Sequence, residues 1–284
     1  MQVLITGAAG RLGQLLRKVW LREQPLGFDP VWSARHRVFP AAIAWDIMSD
    51  PAPFIAEGSV ILHLAGALRG DAAALSSNSD LALKVCAAAK KAGVKHVFLA
   101  SSASVYQATS GNLVEVQPPC PQSDYGRAKL NMERDALCWA HGIGADAPGV
   151  TCLRIGNVLG ADALLGKAAS EREILLDPVS GHDRGPMRSY IGPHAFAQTL
   201  AALVIRAARG APLPKILNIA APKPVYMADL LIAAKHPFCF GPPNSDVIPM
   251  VSLCTSRLAA LVPLPAMPAE TIVADWQSLV GCPA

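Results

Sequence analysis

The chain has 284 residues, long enough for one large α/β domain or for one domain plus a small lobe. Hydrophobic residues make up 52% and charged residues 16%, with a mean hydropathy of +0.32, which excludes a disordered chain and raises instead a membrane span or a buried subunit interface. The net charge is +4, and its cations are scattered without basic–aromatic interleaving, so nucleic acid is not an expected partner.

A membrane helix needs roughly 18 uninterrupted apolar residues. The nearest run, Ala195 to Ile205, is interrupted by Gln198 and Thr199. The amino terminus lacks a basic stretch and its apolar run leads straight into glycines, so it does not read as a signal peptide. A cytoplasmic location is expected. The seven cysteines form no Cys-x-x-Cys and show no zinc spacing. They read as small apolar fillers in a reducing compartment. The seven histidines include no His-Glu-x-x-His, and no metal is expected.

In chain order, Gln2 to Thr6 predicts a buried strand entering a turn at Gly7. Leu12 to Leu21 has helical spacing, Val31 to Ser33 is a second strand, and Val60 to Leu64 a third. Asn78 to Ala92 predicts a helix that is apolar almost all round and closes at Gly93. Val94 to Ala100 is a strand, Tyr125 to Ala140 a helix, and Val150 to Ile155 another strand. This alternation implies an α/β fold, a doubly wound parallel sheet with helices on both faces. Past residue 160 prolines become frequent, which predicts a sheet-bearing domain over 1–160 and a smaller, loop-rich lobe over 161–284. Part of that lobe is interleaved with the last strands.

Thr6-Gly7-Ala8-Ala9-Gly10-Arg11-Leu12-Gly13 joins the first strand to the first helix. Glycines there allow a tight turn, close approach of backbone to a pyrophosphate, and tight helix–sheet packing. The helix start offers unpaired N–H groups and partial positive charge to the phosphates. A dinucleotide is therefore the expected ligand. An acid some 20 positions onward normally holds the ribose hydroxyls, yet Ser33-Ala34-Arg35-His36-Arg37 stands there. A serine and two guanidiniums suit a 2′-phosphate, so NADP is preferred over NAD, which remains possible. Solvated arginines are the plainer alternative.

Tyr125 and Lys129 are four apart, on one face of a predicted helix. An ammonium nearby favours phenolate, which lets the tyrosine trade a proton with a carbinol oxygen while a nicotinamide passes hydride. Hydroxyls of Ser101, Ser102 and Ser104, at a strand end, are placed to orient that oxygen.

Together these features resemble the extended short-chain dehydrogenase/reductase family, of the NAD-dependent epimerase/dehydratase type. The cofactor loop, Asp46-Ile47, His63-Leu64-Ala65-Gly66, Asn78, Ser101-Ser102-Ala103-Ser104-Val105-Tyr106, Tyr125-Gly126-Arg127-Ala128-Lys129 and Arg154-Ile155-Gly156-Asn157-Val158 carry the resemblance. It implies a Rossmann-type fold with a small carboxy-terminal substrate lobe. It implies Tyr125 as acid/base, Lys129 as the group that lowers the tyrosine pKa and holds the nicotinamide ribose, and Ser102 as hydrogen-bond donor to the reacting oxygen. It further implies cofactor contacts at Gly7, Gly10, Arg11, Leu12, Gly13, Ser33, Arg35, Asp46, Ile47, Leu64, Ala65, Gly66 and Asn78. Substrate contacts fall at Ser104, Asn157 and Arg188, the last either gripping a phosphate or pairing a loop carbonyl.

The chain departs from the family at Gln107, at Ser189 and at His194-Ala195, where glycine, aspartate and an acidic pair are usual. The expected substrate walls are Ala67 to Ser77, Thr109 to Gln122, and Asn157 to Arg188. The lean second lobe points to a small sugar-like carbonyl or alcohol rather than a nucleotide sugar. No glutamate stands out beside the serine strand for dehydratase chemistry. The first reading is therefore a net oxidoreductase; a nucleotide-sugar epimerase or dehydratase with tightly bound cofactor and a non-catalytic NADP(H) sensor are the alternatives. The apolar helix 78–92, with 125–141, predicts a homodimer.

Overall fold

The computed structural model describes residues 1–106, 112–166, 173–181 and 183–279. Gln107 and positions 109–111 of one expected substrate wall lie outside these residues. The elements run β1 (Gln2–Thr6), α1 (Arg11–Arg22), β2 (Asp29–Ala34), β3 (Ile43–Ala44), β4 (Val60–His63), α2 (Ala72–Lys91), β5 (His96–Ser102), β6 (Asn112–Leu113), α3 (Asp124–Ile143), β7 (Gly149–Ile155), β8 (Asn157–Val158) and β9 (Ile174–Leu176). There follow β10 (Met187–Arg188), β11 (Tyr190–Ile191), α4 (Pro193–Ala208), β12 (Ile216–Ile219), β13 (Val225–Tyr226), α5 (Met227–Ala233), β14 (Phe238–Phe240), β15 (Met250–Leu253), α6 (Ser256–Ala259) and α7 (Ala269–Gln277).

A seven-stranded parallel sheet in the order β12-β7-β5-β4-β1-β2-β3 is the backbone of the fold. From β1 the chain builds outward first one way and then the other, so the order reverses between β1 and β4. Ile5 pairs with Trp32 on one side and Leu62 on the other. In open α/β sheets ligands bind at the carboxyl ends of the strands at such a reversal. Residues 60 to 63 are all buried, as are 96 to 101, because helices cover both faces of a parallel sheet.

The chain forms two compact units. The first comprises Met1–Gln107, Pro118–Arg154 and Leu200–Leu217. Within it α1 buries Gly13, Leu16 and Trp20 on one stripe and Leu15 and Val19 beside it, the spacing the sequence predicts. Helix α2 begins six residues before the expected Asn78, because the Asp71 carboxylate accepts the Ala74 N–H at 2.8 Å and caps it there. Nor is α2 apolar all round. It packs against α3 and the sheet through Leu75, Asn78, Leu81, Ala82, Val85, Cys86 and Ala89, while Ser76, Asp80, Lys84 and Lys91 form an exposed stripe. Helix α3 is capped by Ser123, whose hydroxyl accepts the Gly126 N–H at 3.0 Å.

The second unit comprises Ala108–Gln117, Ile155–Thr199 and Asn218–Ala284. It carries a four-stranded sheet, β13-β10-β15-β6, and the strand pairs β11-β8 and β14-β9. The Asn218 amide joins two of its segments by donating to the Leu113 and Cys254 carbonyls at 2.9 and 3.0 Å. Among the described residues no helix is long and apolar enough to cross a membrane.

Candidate cofactor and catalytic site

The glycine loop takes the geometry its residues require. Gly7 has φ +81°, and a Cβ there would lie 2.7 Å from the Leu64 carbonyl carbon. A Cβ on Gly13 would meet the Gly7 carbonyl oxygen and lie 2.8 Å from Ala8 Cα, so only glycine lets α1 start against β1. Gly10, the residue before α1, provides no side-chain cap, and the first turn holds no acid. The N–H groups of that turn thus suit an anion.

A groove of about 280 Å³ opens at this end of the sheet, lined by Gly7, Gly10, Ser33, Arg35, Asp46 and Ile47 with Leu64, Ala65 and Gly66 opposite. Nine of the expected cofactor contacts therefore line one groove. Arg11 and Leu12 open α1 but do not line the groove. Two larger cavities, about 640 and 770 Å³, lie at the amino-terminal ends of the strands, away from the loop. Ser33 is buried at the end of β2, and no acid stands there. Asp46 comes instead from the turn after β3. Its carboxylate accepts the Met48 N–H at 3.0 Å, which holds it below the usual carboxylate range, and lies 3.9 Å from Arg35 Nε. The glycine cradle, the uncapped helix and the polar rim fit a dinucleotide.

Ser102 ends β5, and its hydroxyl accepts the Ser104 N–H and donates to Ser104 Oγ, both at 3.1 Å. Tyr125 lies in the first turn of α3. Burial pushes its phenol up, with the Ser102 hydroxyl acting against that. Lys129, buried one turn on, donates to the Ala100 carbonyl at 2.9 Å. Burial drives its pKa down to about 8. Burial outweighs the other influences on the phenol, so its shift is upward. Asn78 donates to Ala67 and Leu75 carbonyls at 3.1 and 2.8 Å, and its Oδ1 is buried without a partner. A Cβ on Gly66 would strike that oxygen and lie 3.0 Å from Lys129 Nζ. The structure thus brings Ser102, Ser104, Tyr125 and Lys129 together in one unit, with Asn78 and Gly66 against the lysine.

The sequence singled out no glutamate beside the serine strand for dehydratase chemistry; the structure places one there, in a buried ion pair. Glu133, on α3, accepts a hydrogen bond from Ser101 and pairs with Arg154 of β7 at 2.7 Å, both side chains almost fully buried. A polar residue spaced four from Lys129 among Leu130, Met132 and Ala136 was the available signal.

In the second unit Asn157 donates to the Ser189 carbonyl at 3.4 Å and Arg188 to the Met187 carbonyl at 2.9 Å. Burial lowers the Arg188 pKa. Ser189 is occupied structurally, its hydroxyl accepting the Leu253 N–H at 2.8 Å. The carboxylate absent at His194-Ala195 arrives from α7: Asp275 accepts the His194 and Ala195 N–H groups at 2.8 and 3.3 Å and caps α4.

The model of the NAD dependent epimerase/dehydratase family matches residues 3–175. The chain belongs to that family. Members of the family are enzymes, and this chain is one of them. Among curated proteins none matches significantly in sequence. Among solved structures it is similar to MoeE5 in complex with UDP-glucuronic acid and NAD, at 20% identity, 98% of each chain and a TM-score of 0.75. It is also similar to the UDP-glucose 4-epimerase of Stenotrophomonas maltophila with NAD and formylated UDP-arabinopyranose, at 18% identity, 98% of each chain and a TM-score of 0.77. A third is TunA, a NAD-dependent NDP-hexosamine 5,6-dehydratase, at 19% identity, 98% of each chain and a TM-score of 0.73. At these identities the likeness is one of fold.

Proposed function

We propose that this family member is an NAD(P)-dependent oxidoreductase acting on a sugar-like carbonyl or alcohol. The observation that supports it best is the grouping of Ser102, Tyr125 and Lys129 at the carboxyl end of the sheet that also carries the glycine cradle. A bound nicotinamide supplies or accepts the hydride. Ser102, already hydrogen-bonding, donates to the reacting oxygen. Tyr125 delivers its phenolic proton to that oxygen in reduction and takes it back in oxidation. Lys129, charged at neutral pH, offsets the phenolate that remains. Ser104, Asn157 and Arg188 are candidate substrate contacts, carried by the family resemblance.

Preference for NADP belongs to the same reading. It rests on the absence of an acid at the end of β2 and on Arg35, whose side chain is 66% exposed at the groove rim. Pairing of two copies through 78–92 and 125–141 is part of it as well, since α2 and α3 lie side by side and Leu137 and Trp139 are only partly buried; a monomer in sedimentation at micromolar concentration overturns that element.

A nucleotide-sugar epimerase or dehydratase that recycles its hydride is the second reading. The UDP-sugar complexes of structures with the same fold favour it. Absorbance at 340 nm decides between them. Stoichiometric change with a panel of sugar carbonyls and alcohols supports net redox, whereas product from UDP-sugars without net change supports internal recycling. Tight cofactor binding with no turnover in either panel leaves a cofactor sensor and overturns both.

A further inference from the structure

Glu133 is 2% exposed, and its carboxylate serves three elements at once. Arg154 of β7 donates to it through Nε at 3.0 Å and Nη2 at 2.7 Å, while Ser101 of β5 donates through its hydroxyl. The far face of the Arg154 guanidinium lies 4.7 Å over the ring of Tyr106. Each of these contacts is adjacent to the reacting set. Ser101 precedes Ser102. Lys129 is one turn before Glu133 on the same helix face, and Tyr125 one turn before that.

A buried ion pair is costly: desolvation takes several kcal/mol per ion, and an apolar pair of equal volume is often neutral or better for stability. Structure alone therefore gives weak reason for a carboxylate here. A reason appears on counting the charges around Lys129. Tyr125 and Glu133 face it from α3, His63 from β4, Cys152 from β7 and the uncharged Asn78 from α2, with Arg154 of β7 behind, bound to Glu133. Burial takes His63 down to about 3 and the Cys152 thiol well above its usual value, so both are neutral near pH 7. Arg154 is a cation and opposes the ammonium. Among these groups Glu133 is the anion.

We propose that Glu133 is a positioning residue for the Ser102–Tyr125–Lys129 set, holding β5 to α3 through Ser101 and serving as the buried counter-charge that keeps Lys129 an ammonium. The inference rests on the proposed function for its meaning, but its test does not need turnover. Lysines labelled with 13C at Cε are titrated by NMR, with Lys129→Met identifying the Lys129 signal. In Glu133→Gln the midpoint of Lys129 falls by about one pH unit, as loss of a near opposite charge requires. In Glu133→Asp, which keeps the charge, it stays close to that of the parent.

Glu133→Gln leaves Arg154 buried and unpaired. The double variant Glu133→Gln/Arg154→Met removes both charges at similar volume and still gives a downward shift, smaller than that of Glu133→Gln because the opposing cation goes as well. An unmoved midpoint in either folded variant overturns the proposal, as does failure of both to fold, which makes the role purely structural. If Lys129 shifts as stated while Tyr125→Phe retains activity, the proposed function fails and the electrostatic inference stands.

Discussion

The Lys129 ammonium lies 6.0 Å from the centroid of the Tyr125 ring, one turn along the same helix, and is committed to the Ala100 carbonyl. The two side chains are thus coupled through space rather than by a hydrogen bond. At that separation the ammonium matters little to a neutral phenol and much to a phenolate in a dry site. Under the proposed function, the pair suits a phenolate that exists only while a proton is in transit.

Tyr125→Phe removes the proposed proton donor and leaves the ring in its packing. Turnover in whichever panel is active should fall by about 10² to 10⁴. The cofactor dissociation constant, followed by quenching of protein fluorescence, should hold within about twofold. Retained turnover rules out the tyrosine as acid/base.

Lys129→Met should raise stability while it removes activity. The lysine pKa is about 8 in the fold against 10.5 ordinarily, so between those values the unfolded chain binds the additional proton. Stability therefore rises with pH across that window, and at neutral pH the fold carries a penalty for the buried ammonium of about 3 kcal/mol. Methionine removes the penalty. The urea midpoint of Lys129→Met should exceed that of the parent at pH 7 and converge on it near pH 10. A lower midpoint at pH 7 means the Ala100 hydrogen bond outweighs the charge.

Arg35→Ala tests the coenzyme assignment. A guanidinium at the rim of the groove adds charge-assisted hydrogen bonds to a 2′-phosphate and nothing comparable to a ribose hydroxyl. NADPH affinity should drop about tenfold, from loss of about 1.4 kcal/mol, with NADH affinity unchanged. Equal affinity of the parent for both coenzymes, or an unaltered NADPH constant in the variant, removes the preference. Asp46, 3.9 Å from Arg35, then becomes the group to examine for ribose binding.

Much of this site was legible because its signals are local. Gly7 and Gly13 declare a turn whose Cβ positions are filled by the backbone of Leu64, Ala65, Gly7 and Ala8, and Tyr125 and Lys129 declare a helix face by their spacing. What was hidden depends on distant segments. Glu133 finds Arg154 21 residues away and Ser101 32 residues away, and neither spacing has a period to betray it. Asp275 reaches α4 across 81 residues, so the carboxylate missing from His194-Ala195 was present elsewhere in the chain. The early start of α2 turned on a single side chain, Asp71, and its polar stripe was masked by a high overall alanine content.

Acid should destabilise the fold through two histidines buried without charge. His96 sits against Phe98 with ring centroids 4.5 Å apart. The Thr151 hydroxyl donates to the Pro214 carbonyl at 2.8 Å, so the 3.0 Å contact from His96 Nε2 is a donation to Thr151. His63 Nδ1 lies 2.7 Å from Thr6 Oγ1, and its Nε2 is buried without a partner. Burial lowers the two pKa values to about 4 and about 3 from 6.5. Below pH 6.5 the unfolded chain binds protons that the fold refuses, so stability falls with pH through that window and the loss is complete only near the folded values. Between pH 7 and pH 5 each histidine should cost about 2 kcal/mol. His96→Phe keeps an aromatic ring beside Phe98 and leaves Thr151 its bond to Pro214. It should remove about half of the histidine contribution, seen as a shallower drop in the urea midpoint from pH 7 to pH 5. An identical drop in parent and variant would show that His96 takes up its proton in the folded state, by opening of the β5 and β7 ends.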